Sequence, residues 1–388
     1  MTNNTNHIVV AANPFGFGPT GNAIPILEEL SAKFLGQSDI RMYFVGSEKC
    51  QIIVPDLPGI KRVFIDERDE TKLRDFLLML SGRVYVLGVQ NRFIIAAGKS
   101  LGCKTAFLDV LAWMWPEIPE AHLIADEIFW MRFSGIIERW HHYSHSGKNI
   151  HIVGGIYKTS LQEKTGTSGN EKILFCLGGG FNPLRDGIQE NYLSLLAAVL
   201  KVSTLSKMDV EIVAGERVVS FLRNMDDPLP LTWRISTLSH SETLEHLSSA
   251  KLCLGVGGQS STMEAILGGI PICFFIPSNL SQILLQMSMA SEIKREDILW
   301  WKDEFHELVK SSGYLSEKDY IERMEVIAGE ILGDSKKVEI LGSKFDSILN
   351  SLSADESYSS KLESIGEWVG SNGSAQIVTH IETFIKGD

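Results

Sequence analysis

The residues best suited to chemistry lie in a glycine- and hydroxyl-rich segment, GVGGQSSTMEAILGGIP, at residues 255–271. A glycine pair, Gly257 and Gly258, ends an apolar run there. Three hydroxyl side chains follow it: Ser260, Ser261 and Thr262. Amides and hydroxyls at the start of a helix can hold a diphosphate, and Glu264, about one turn further, can accept hydrogen bonds from ribose hydroxyls. The segment lacks the lysine of a P-loop, so the pattern fits a sugar-nucleotide site or a plain helix cap.

A second glycine-rich segment, NPFGFGPTGNAIP at residues 13–25, follows the first apolar run of the chain. Its glycines fit the spacing G-x-G-x-x-G between a strand and a helix. A dinucleotide site also needs an acidic residue at the end of the next strand, where only Glu48 is near and comes late. A nicotinamide or flavin site, a structural turn and a loop facing a substrate all stay open, and we favour the last. The candidate substrate-facing residues are Phe15, Gly16, Phe17 and Gly18.

A third cluster, LGGGFNP at residues 177–183, again follows an apolar run and leads towards a helix. Consecutive glycines let backbone N–H groups approach an anion, and a following helix N-terminus adds partial positive charge. The candidate anion-binding residues are Gly178, Gly179 and Gly180. The alternative is a bend required only by sheet packing.

Short apolar runs alternate with amphipathic stretches along most of the chain, which is typical of βα units around a parallel sheet. The pattern restarts after a polar segment rich in Thr, Ser and Gly, and this predicts two similar doubly wound α/β domains. Ligands of such domains bind at the carboxyl ends of the strands. The predicted boundaries are an N-terminal domain at 1–156, a linker at 157–171, a C-terminal domain at 172–365 and a returning C-terminal helix at 366–388.

The composition limits the function classes that need consideration. The chain has 388 residues with 36 basic and 48 acidic side chains, a formal net charge of −12, which argues against nucleic acid or an anionic membrane as a partner. No apolar run is long enough for a transmembrane helix, and the N-terminus MTNNTNH lacks the features of a signal peptide. The five cysteines form no CxxC pair, which indicates buried hydrophobes in a reducing compartment. We therefore expect a cytoplasmic protein with small-molecule ligands.

Together these segments resemble the GT-B glycosyltransferases, specifically the UDP-sugar glycosyltransferases and the N-acetylglucosaminyl transferase of cell-wall synthesis. The C-terminal signature of those families has the form H-G-G-x-N-S-T-x-E-A-x-x-x-G-x-P, and here it reads V-G-G-Q-S-S-T-M-E-A at 256–265 and G-I-P at 269–271. The N-terminal G-H-x-x-P of the family appears as G-N-A-I-P at 21–25. The resemblance implies two Rossmann-like doubly wound α/β domains that face each other across a cleft.

The resemblance also implies roles for single residues. Gly257, Gly258, Ser261 and Thr262 would hold the diphosphate of a nucleotide-diphosphate sugar, a UDP-sugar as co-substrate. Glu264 would bind the ribose, and Gln282, after the next strand, would bind sugar hydroxyls. No metal and no other cofactor is expected, because amides and a helix dipole stabilise the leaving diphosphate.

Two positions depart from the family. Val256 replaces the histidine that contacts the phosphate, and Asn22 replaces the catalytic histidine, although an asparagine cannot take up a proton at neutral pH. Asp109, at the end of the apolar run 104–110, is the candidate replacement base. Trp113 and Trp115 follow it and could stack on a planar or cyclic acceptor. The alternative for this stretch is a helix cap followed by an aromatic core loop.

These departures leave several functions open. The acceptor can need little activation, as a nucleobase nitrogen would, and the F-G-x-G start and the Asp-x-x-x-Trp stretch are similar to those of the cytosylglucuronate synthases. A GT-B sugar-nucleotide epimerase would need paired carboxylates, of which only Asp109 is a candidate. A non-catalytic subunit that binds sugar nucleotides would explain both Val256 and Asn22.

Two further aromatic stretches are given structural interpretations. Trp130, Arg132 and the run WHHYSH at 140–145 include an HHxxH pattern without an accompanying acid, so we expect a surface or hinge helix rather than a zinc site. Residues 293–330 alternate in charge and include Trp300 and Trp301, and we expect a solvated helical face.

Overall fold

The computed structural model describes residues 5–14, 18–115, 117–157, 172–178, 187–312 and 315–387. The chain forms two units: unit 1 contains residues 1–158 and 369–388, and unit 2 contains residues 159–368. The glycines and phenylalanines at 15–17, the glycines at 179–180 and residues 158–171 of the predicted linker lie outside the described residues.

Strands and helices alternate through both units. The strands are β1 (Asn6–Ala12), β2 (Ile40–Gly46), β3 (Ile60–Phe64), β4 (Arg83–Val89), β5 (Lys104–Asp109), β6 (Glu127–Met131), β7 (Ile150–Val153), β8 (Ile173–Gly178), β9 (Val210–Ala214), β10 (Arg234–Ser236), β11 (Leu252–Gly255) and β12 (Ile272–Phe274). The helices are α1 (Gly18–Phe34), α2 (Glu48–Ile53), α3 (Glu70–Leu78), α4 (Arg92–Ser100), α5 (Glu120–Ile124), α6 (Ile136–Tyr143), α7 (Glu190–Val202), α8 (Glu216–Arg223), α9 (His240–Ser248), α10 (Gln259–Leu267), α11 (Leu280–Ile293), α12 (His306–Ser311), α13 (Glu317–Leu332), α14 (Ser335–Ala354), α15 (Glu356–Val369) and α16 (Gly373–Lys386).

The sheet of unit 1 has seven parallel strands in the order β3-β2-β1-β4-β5-β6-β7. Strand β1 is buried along its whole length, because its apolar side chains are covered on both faces of the sheet. The strand order reverses between β1 and β4, so the carboxyl ends of these strands flank the crevice where such sheets bind ligands. Asp109 ends the neighbouring strand β5 at the same edge.

Helix α16 packs within unit 1 although it comes last in the chain. The backbone N–H of Gly155 donates to the carbonyl of Val369 at 3.1 Å, and that of Gly373 donates to Gly155 at 3.0 Å. A Cβ atom at Gly373 would lie 2.1 Å from the carbonyl oxygen of Gly154, so only glycine allows this approach. At the other end of the helix, Arg83 donates to the carbonyl of Ile385 at 3.2 Å. The C-terminal segment of unit 1 is therefore hydrogen-bonded to the N-terminal segment at both ends of α16.

The sheet of unit 2 has five parallel strands in the order β10-β9-β8-β11-β12. Its order reverses between β8 and β11, where Cys176 pairs with Gly255 in register. Helix α15 belongs to the same core, since the Tyr358 hydroxyl donates to the carbonyl of Ile272 at 2.6 Å. The two parallel sheets with helices confirm the predicted α/β class.

Two structural expectations were wrong. Trp130 lies on the buried strand β6, because a five-residue apolar run does not reveal by its period whether it is strand or helix. Trp300 and Trp301 are buried rather than solvated, and their indoles donate to Phe274 and Gln286, both at 2.9 Å.

Across the described ranges, no helix combines the length and apolar character that crossing a membrane requires. The same ranges contain no group of three His, Cys, Asp or Glu side chains arranged to hold a metal ion. All five cysteines are free thiols, and four of them are buried.

Candidate functional site

The predicted donor residues of unit 2 converge on the point where its strand order reverses. Gly178 is the last residue of β8, and its carbonyl accepts from the N–H of Gly215 at 3.0 Å. The loop after the neighbouring strand β11 contains Gly257 and Gly258 and leads directly into α10. The structure thus places Gly178 and the 257–264 segment at adjacent carboxyl ends of one sheet.

Gly257 adopts a conformation that only glycine accepts readily. Its φ is +92°, and a Cβ atom there would lie 2.9 Å from the carbonyl oxygen of Gln282. The side chain of Gln286 holds the loop that contains Gly257. Its Nε2 donates to the carbonyls of Val256 at 3.0 Å and Phe275 at 2.7 Å. Its Oε1 accepts from the indole of Trp301 at 2.9 Å. The loop is therefore held rigidly against α11.

The start of α10 is polar but incompletely hydrogen-bonded. The N-cap residue is Gly258, which has no side chain, so the hydroxyls at 260–262 lie inside the helix and do not cap it. Ser261 donates to the carbonyl of Gly258 at 3.1 Å. The Thr262 hydroxyl and both polar side-chain atoms of Gln259 are buried and make no hydrogen bond with any described residue. These atoms can therefore form hydrogen bonds with a ligand or with water.

Glu264 lies one turn further into α10 and is 5 % exposed. Its Oε1 is 2.7 Å from Nε2 of His240, whose side chain is 25 % exposed. His240 is the first residue of α9, a helix that begins with a capping box between Ser239 and Glu242. The carboxylate is thus held in one orientation at the carboxyl side of β11, with the imidazole at the protein surface.

Gln282 is on α11, which begins after β12. Its Oε1 accepts from the backbone N–H of Ser278 at 2.6 Å and from the Ser278 hydroxyl at 2.9 Å. Gln189 donates to the carbonyl of the same serine at 3.0 Å, which fixes the loop from α7. Because the side-chain oxygen of Gln282 is used locally, its Nε2 is the group that could donate to a ligand.

In unit 1, Asp109 is buried, with 2 % of its surface exposed, and its carboxylate already accepts hydrogen bonds. Its Oδ1 accepts from the backbone N–H of Leu111 at 2.8 Å, and its Oδ2 accepts from the Trp115 indole at 3.0 Å. Nε2 of His122 is also 3.0 Å from Oδ2, but the N–H direction is too poor for a hydrogen bond. Trp130 donates to Nδ1 of His122 at 3.4 Å, so a neutral imidazole carries its proton on Nε2, facing Asp109.

The other predicted acceptor-side residues that the structure describes are half-buried or buried. Trp113 packs against Phe133 with ring centres 4.8 Å apart, while Trp115 points its indole at Asp109. Asn22 is buried within α1, and Gly18 is the first residue of that helix. The predicted residues at 15–17, like those at 179–180, lie outside the described part of the chain.

Solved structures of several other proteins resemble this chain along most of its length. MnaA from S. aureus, solved with UDP, has a TM-score of 0.56 at 12 % identity, covering 98 % of this chain and 97 % of that one. MurG from Acinetobacter baumannii has a TM-score of 0.52 at 12 % identity, covering 98 % and 99 %. UGT89C1 from Arabidopsis thaliana, solved with UDP, has a TM-score of 0.51 at 11 % identity, covering 89 % and 99 %. The chain has the GT-B fold. No protein-family model matches the sequence, and no curated protein matches it.

The GT-B resemblance predicted from the sequence is therefore confirmed at the level of the fold. Sequence reasoning missed three residues that the structure adds to the candidate sites: Gln259, His240 and His122. Gln259 stood inside the signature segment, and the S-x-x-E pattern at 239–242 could have located His240 at the start of a helix. No local pattern indicates His122, because only the packing of α5 brings it to Asp109.

Proposed function

We propose that this protein is a metal-independent glycosyltransferase that uses a nucleotide-diphosphate sugar, a UDP-sugar, and that the donor binds to unit 2. The observation that carries the proposal is the start of α10, where buried polar atoms of Gln259 and Thr262 have no hydrogen-bond partner among the described residues. Leaving such an atom unpaired costs about 1–3 kcal/mol, which a bound diphosphate with its bound water would recover. The GT-B fold supports the same assignment, and so does the location of the start of α10 at the point where the strand order reverses.

The N-terminus of α10 provides the charge that a leaving diphosphate needs. Its first amides point out of the helix beside Gly258, and the helix dipole adds partial positive charge at that end. Val256, in the position of the family histidine, contributes no donor, so the amides and the hydroxyls of Ser261 and Thr262 would act in its place. Fixed dipoles of this kind stabilise developing charge without reorganisation during the reaction.

Glu264 would select the ribose. A buried carboxylate that His240 holds at 2.7 Å offers its remaining lone pairs in a fixed direction, which suits two neighbouring hydroxyls. The complexes of MnaA and UGT89C1 contain UDP, and on that likeness of fold we propose uridine as the nucleoside. Gln282 would bind hydroxyls of the sugar through its Nε2.

We propose that Asp109 belongs to the acceptor side, in unit 1. Its oxygens already accept from Leu111 and Trp115, so from this position it holds the aromatic loop more readily than it takes a proton from an acceptor. Together with asparagine at position 22, this favours an acceptor whose nucleophilic atom needs little activation, such as a nucleobase nitrogen. A natural-product acceptor of that kind agrees with the resemblance to the cytosylglucuronate synthases.

The experiment is a binding and turnover screen of the full chain. Isothermal titration with UDP, UDP-glucose, UDP-N-acetylglucosamine, UDP-glucuronate and the corresponding GDP and dTDP forms should reveal binding of at least one UDP compound. Chelator should leave that affinity unchanged. Incubation with a mixture of nucleosides and phenols should then release UDP and give a glycosylated product by mass spectrometry. Absence of binding by every sugar nucleotide would refute the proposal, release of an epimerised donor would identify an epimerase, and binding without turnover a non-catalytic subunit.

A further inference from the structure

Arg139, on α6 of unit 1, is surrounded by aromatic rings. Its guanidinium carbon lies 5.7 Å from the ring centre of Trp130 and 5.2 Å from that of Tyr143. Its Nη1 donates to the backbone carbonyl of Trp115, in the loop that follows β5. The guanidinium is thus fixed in place by one hydrogen bond and two ring contacts.

The remaining donors of this guanidinium have no partner. Nε and Nη2 are both buried and make no hydrogen bond with any described residue. These two atoms carry the adjacent, parallel N–H groups with which an arginine binds both oxygens of a carboxylate or phosphate side-on. The two nitrogens without a described partner, Nε and Nη2, are therefore the two that can bind one oxyanion.

No described carboxylate neutralises Arg139. Asp109 is close enough to interact with it electrostatically, but no ion pair joins the two side chains, and the oxygens of Asp109 accept from Leu111 and Trp115. Burial lowers the pKa of Arg139, an effect that the charge of Asp109 partly opposes. The half-buried guanidinium is thus paired with no described carboxylate, and an incoming oxyanion would supply the missing ion pair.

A second unpartnered donor lies in the same aromatic cluster. The Nε1 of Trp113 is buried without a hydrogen bond to any described residue, and its ring packs on the cluster that includes Trp130 and Ile136. Tyr143 packs on the same cluster. The surroundings of Arg139 therefore combine apolar ring surface with N–H donors that have no partner among the described residues, which suits an anionic ligand with a planar ring.

We propose that Arg139 binds an oxyanion of the acceptor, a carboxylate or a phosphate monoester on a planar ring, through Nε and Nη2. The class of ligand follows from the empty donors, and only its role as the acceptor rests on the function proposed above. The site lies at the carboxyl side of the unit 1 sheet, in the β5–α6 region that contains Asp109.

The test compares three probes of similar shape: 4-hydroxybenzoate, 4-hydroxyphenyl phosphate and the neutral 4-hydroxybenzamide. Affinities are measured by titration of the full chain and of the variants Arg139→Met and Arg139→Lys. Lysine keeps the charge but loses the paired N–H groups. Arg74→Met, at an exposed arginine of α3, is the matched control. Circular dichroism and thermal unfolding establish that each variant is folded.

We expect the wild type to bind at least one anionic probe, and at least about tenfold more tightly than the amide. Both Arg139 variants should lose about tenfold or more of that affinity, while Arg74→Met and the affinity for UDP stay unchanged. Preference for benzoate over the phosphate would identify a carboxylate acceptor, and the reverse a phosphate monoester. Equal binding of amide and anions, unchanged binding by Arg139→Met, or no binding at millimolar concentration would overturn the inference. Loss of UDP binding alone would refute the donor proposal and leave this one standing.

Discussion

The change Glu264→Gln tests whether α10 recognises a ribose. The buried carboxylate, held by His240 at 2.7 Å, would accept one hydrogen bond from each of two ribose hydroxyls. A hydrogen bond to a charged group contributes about 1.5–3 kcal/mol, against about 0.5–1.5 kcal/mol for a neutral one. Replacing the carboxylate by an amide of the same size should therefore cost about 2–3 kcal/mol, which corresponds to about 30- to 150-fold weaker binding of UDP.

The assay is isothermal titration with two nucleotides, UDP and 2′,3′-dideoxy-UDP, which lacks the two hydroxyls. For the wild type, the dideoxy nucleotide should bind weakly, and Glu264→Gln should weaken its binding little further. Glu245→Gln, at an exposed glutamate on α9, is the control and should change neither affinity. His240→Ala should produce a smaller, ribose-dependent loss, because the carboxylate is then free to rotate. An equal loss for both nucleotides would refute the reasoning, since the effect would then not pass through the ribose.

Three other predictions follow from single contacts. Gly257→Ala should lower the free energy of unfolding by about 1–3 kcal/mol in urea titrations because of its left-handed backbone, whereas Gly258→Ala, at φ −65°, should be tolerated. Asp109→Asn should reduce turnover by about tenfold or more, because an asparagine cannot accept hydrogen bonds from both Leu111 and Trp115 and the aromatic loop loses its position. The affinity for UDP, measured by titration, should stay within about twofold because the change lies in unit 1, and a parallel loss of UDP affinity would contradict this. Burial raises the pKa of Glu317 from 4.5 to about 7, so its folded state holds the proton more tightly. Stability should then fall as pH rises between these values, and urea midpoints at about pH 5 and about pH 8 should differ less for Glu317→Gln.

The fold could be predicted from the sequence because its signals are local. Apolar runs bounded by glycine gave most strands of both sheets, and the polar–apolar alternation between them gave most helices. The prediction failed at β6, whose five residues are too few to show a period, and at the tryptophans at 300–301, whose charged neighbours suggested an exposed face. The burial of these two tryptophans depends on partners distant in sequence. Gln286, for example, accepts a hydrogen bond from the indole of Trp301.

The candidate donor site rests on local signals as well. Glycines, hydroxyls and one acid at fixed spacing predict a site at residues 257–264, since the spatial relation of these residues is set by a single turn and helix. The contacts that Gln286 and His240 make with this segment were not predictable, because the two residues approach it from α11 and α9, and a spacing pattern carries no information about how helices pack. The same limit applies to His122, which meets Asp109 only through the placement of α5.

By itself, the sequence determined the α/β class, the glycine- and hydroxyl-rich segment at 255–271, and the identities of Asn22 and Val256, where the resembled families have histidines. These are properties of residue identity and of short-range geometry, and folding cannot alter them. Only the tertiary structure decided which polar atoms have hydrogen-bond partners. The carboxylate of Asp109 accepts two hydrogen bonds, whereas the Thr262 hydroxyl and the Nε and Nη2 of Arg139 have no partner among the described residues. Hydrogen-bond satisfaction depends on the positions of atoms contributed by separate elements, and those positions exist only once the chain has packed.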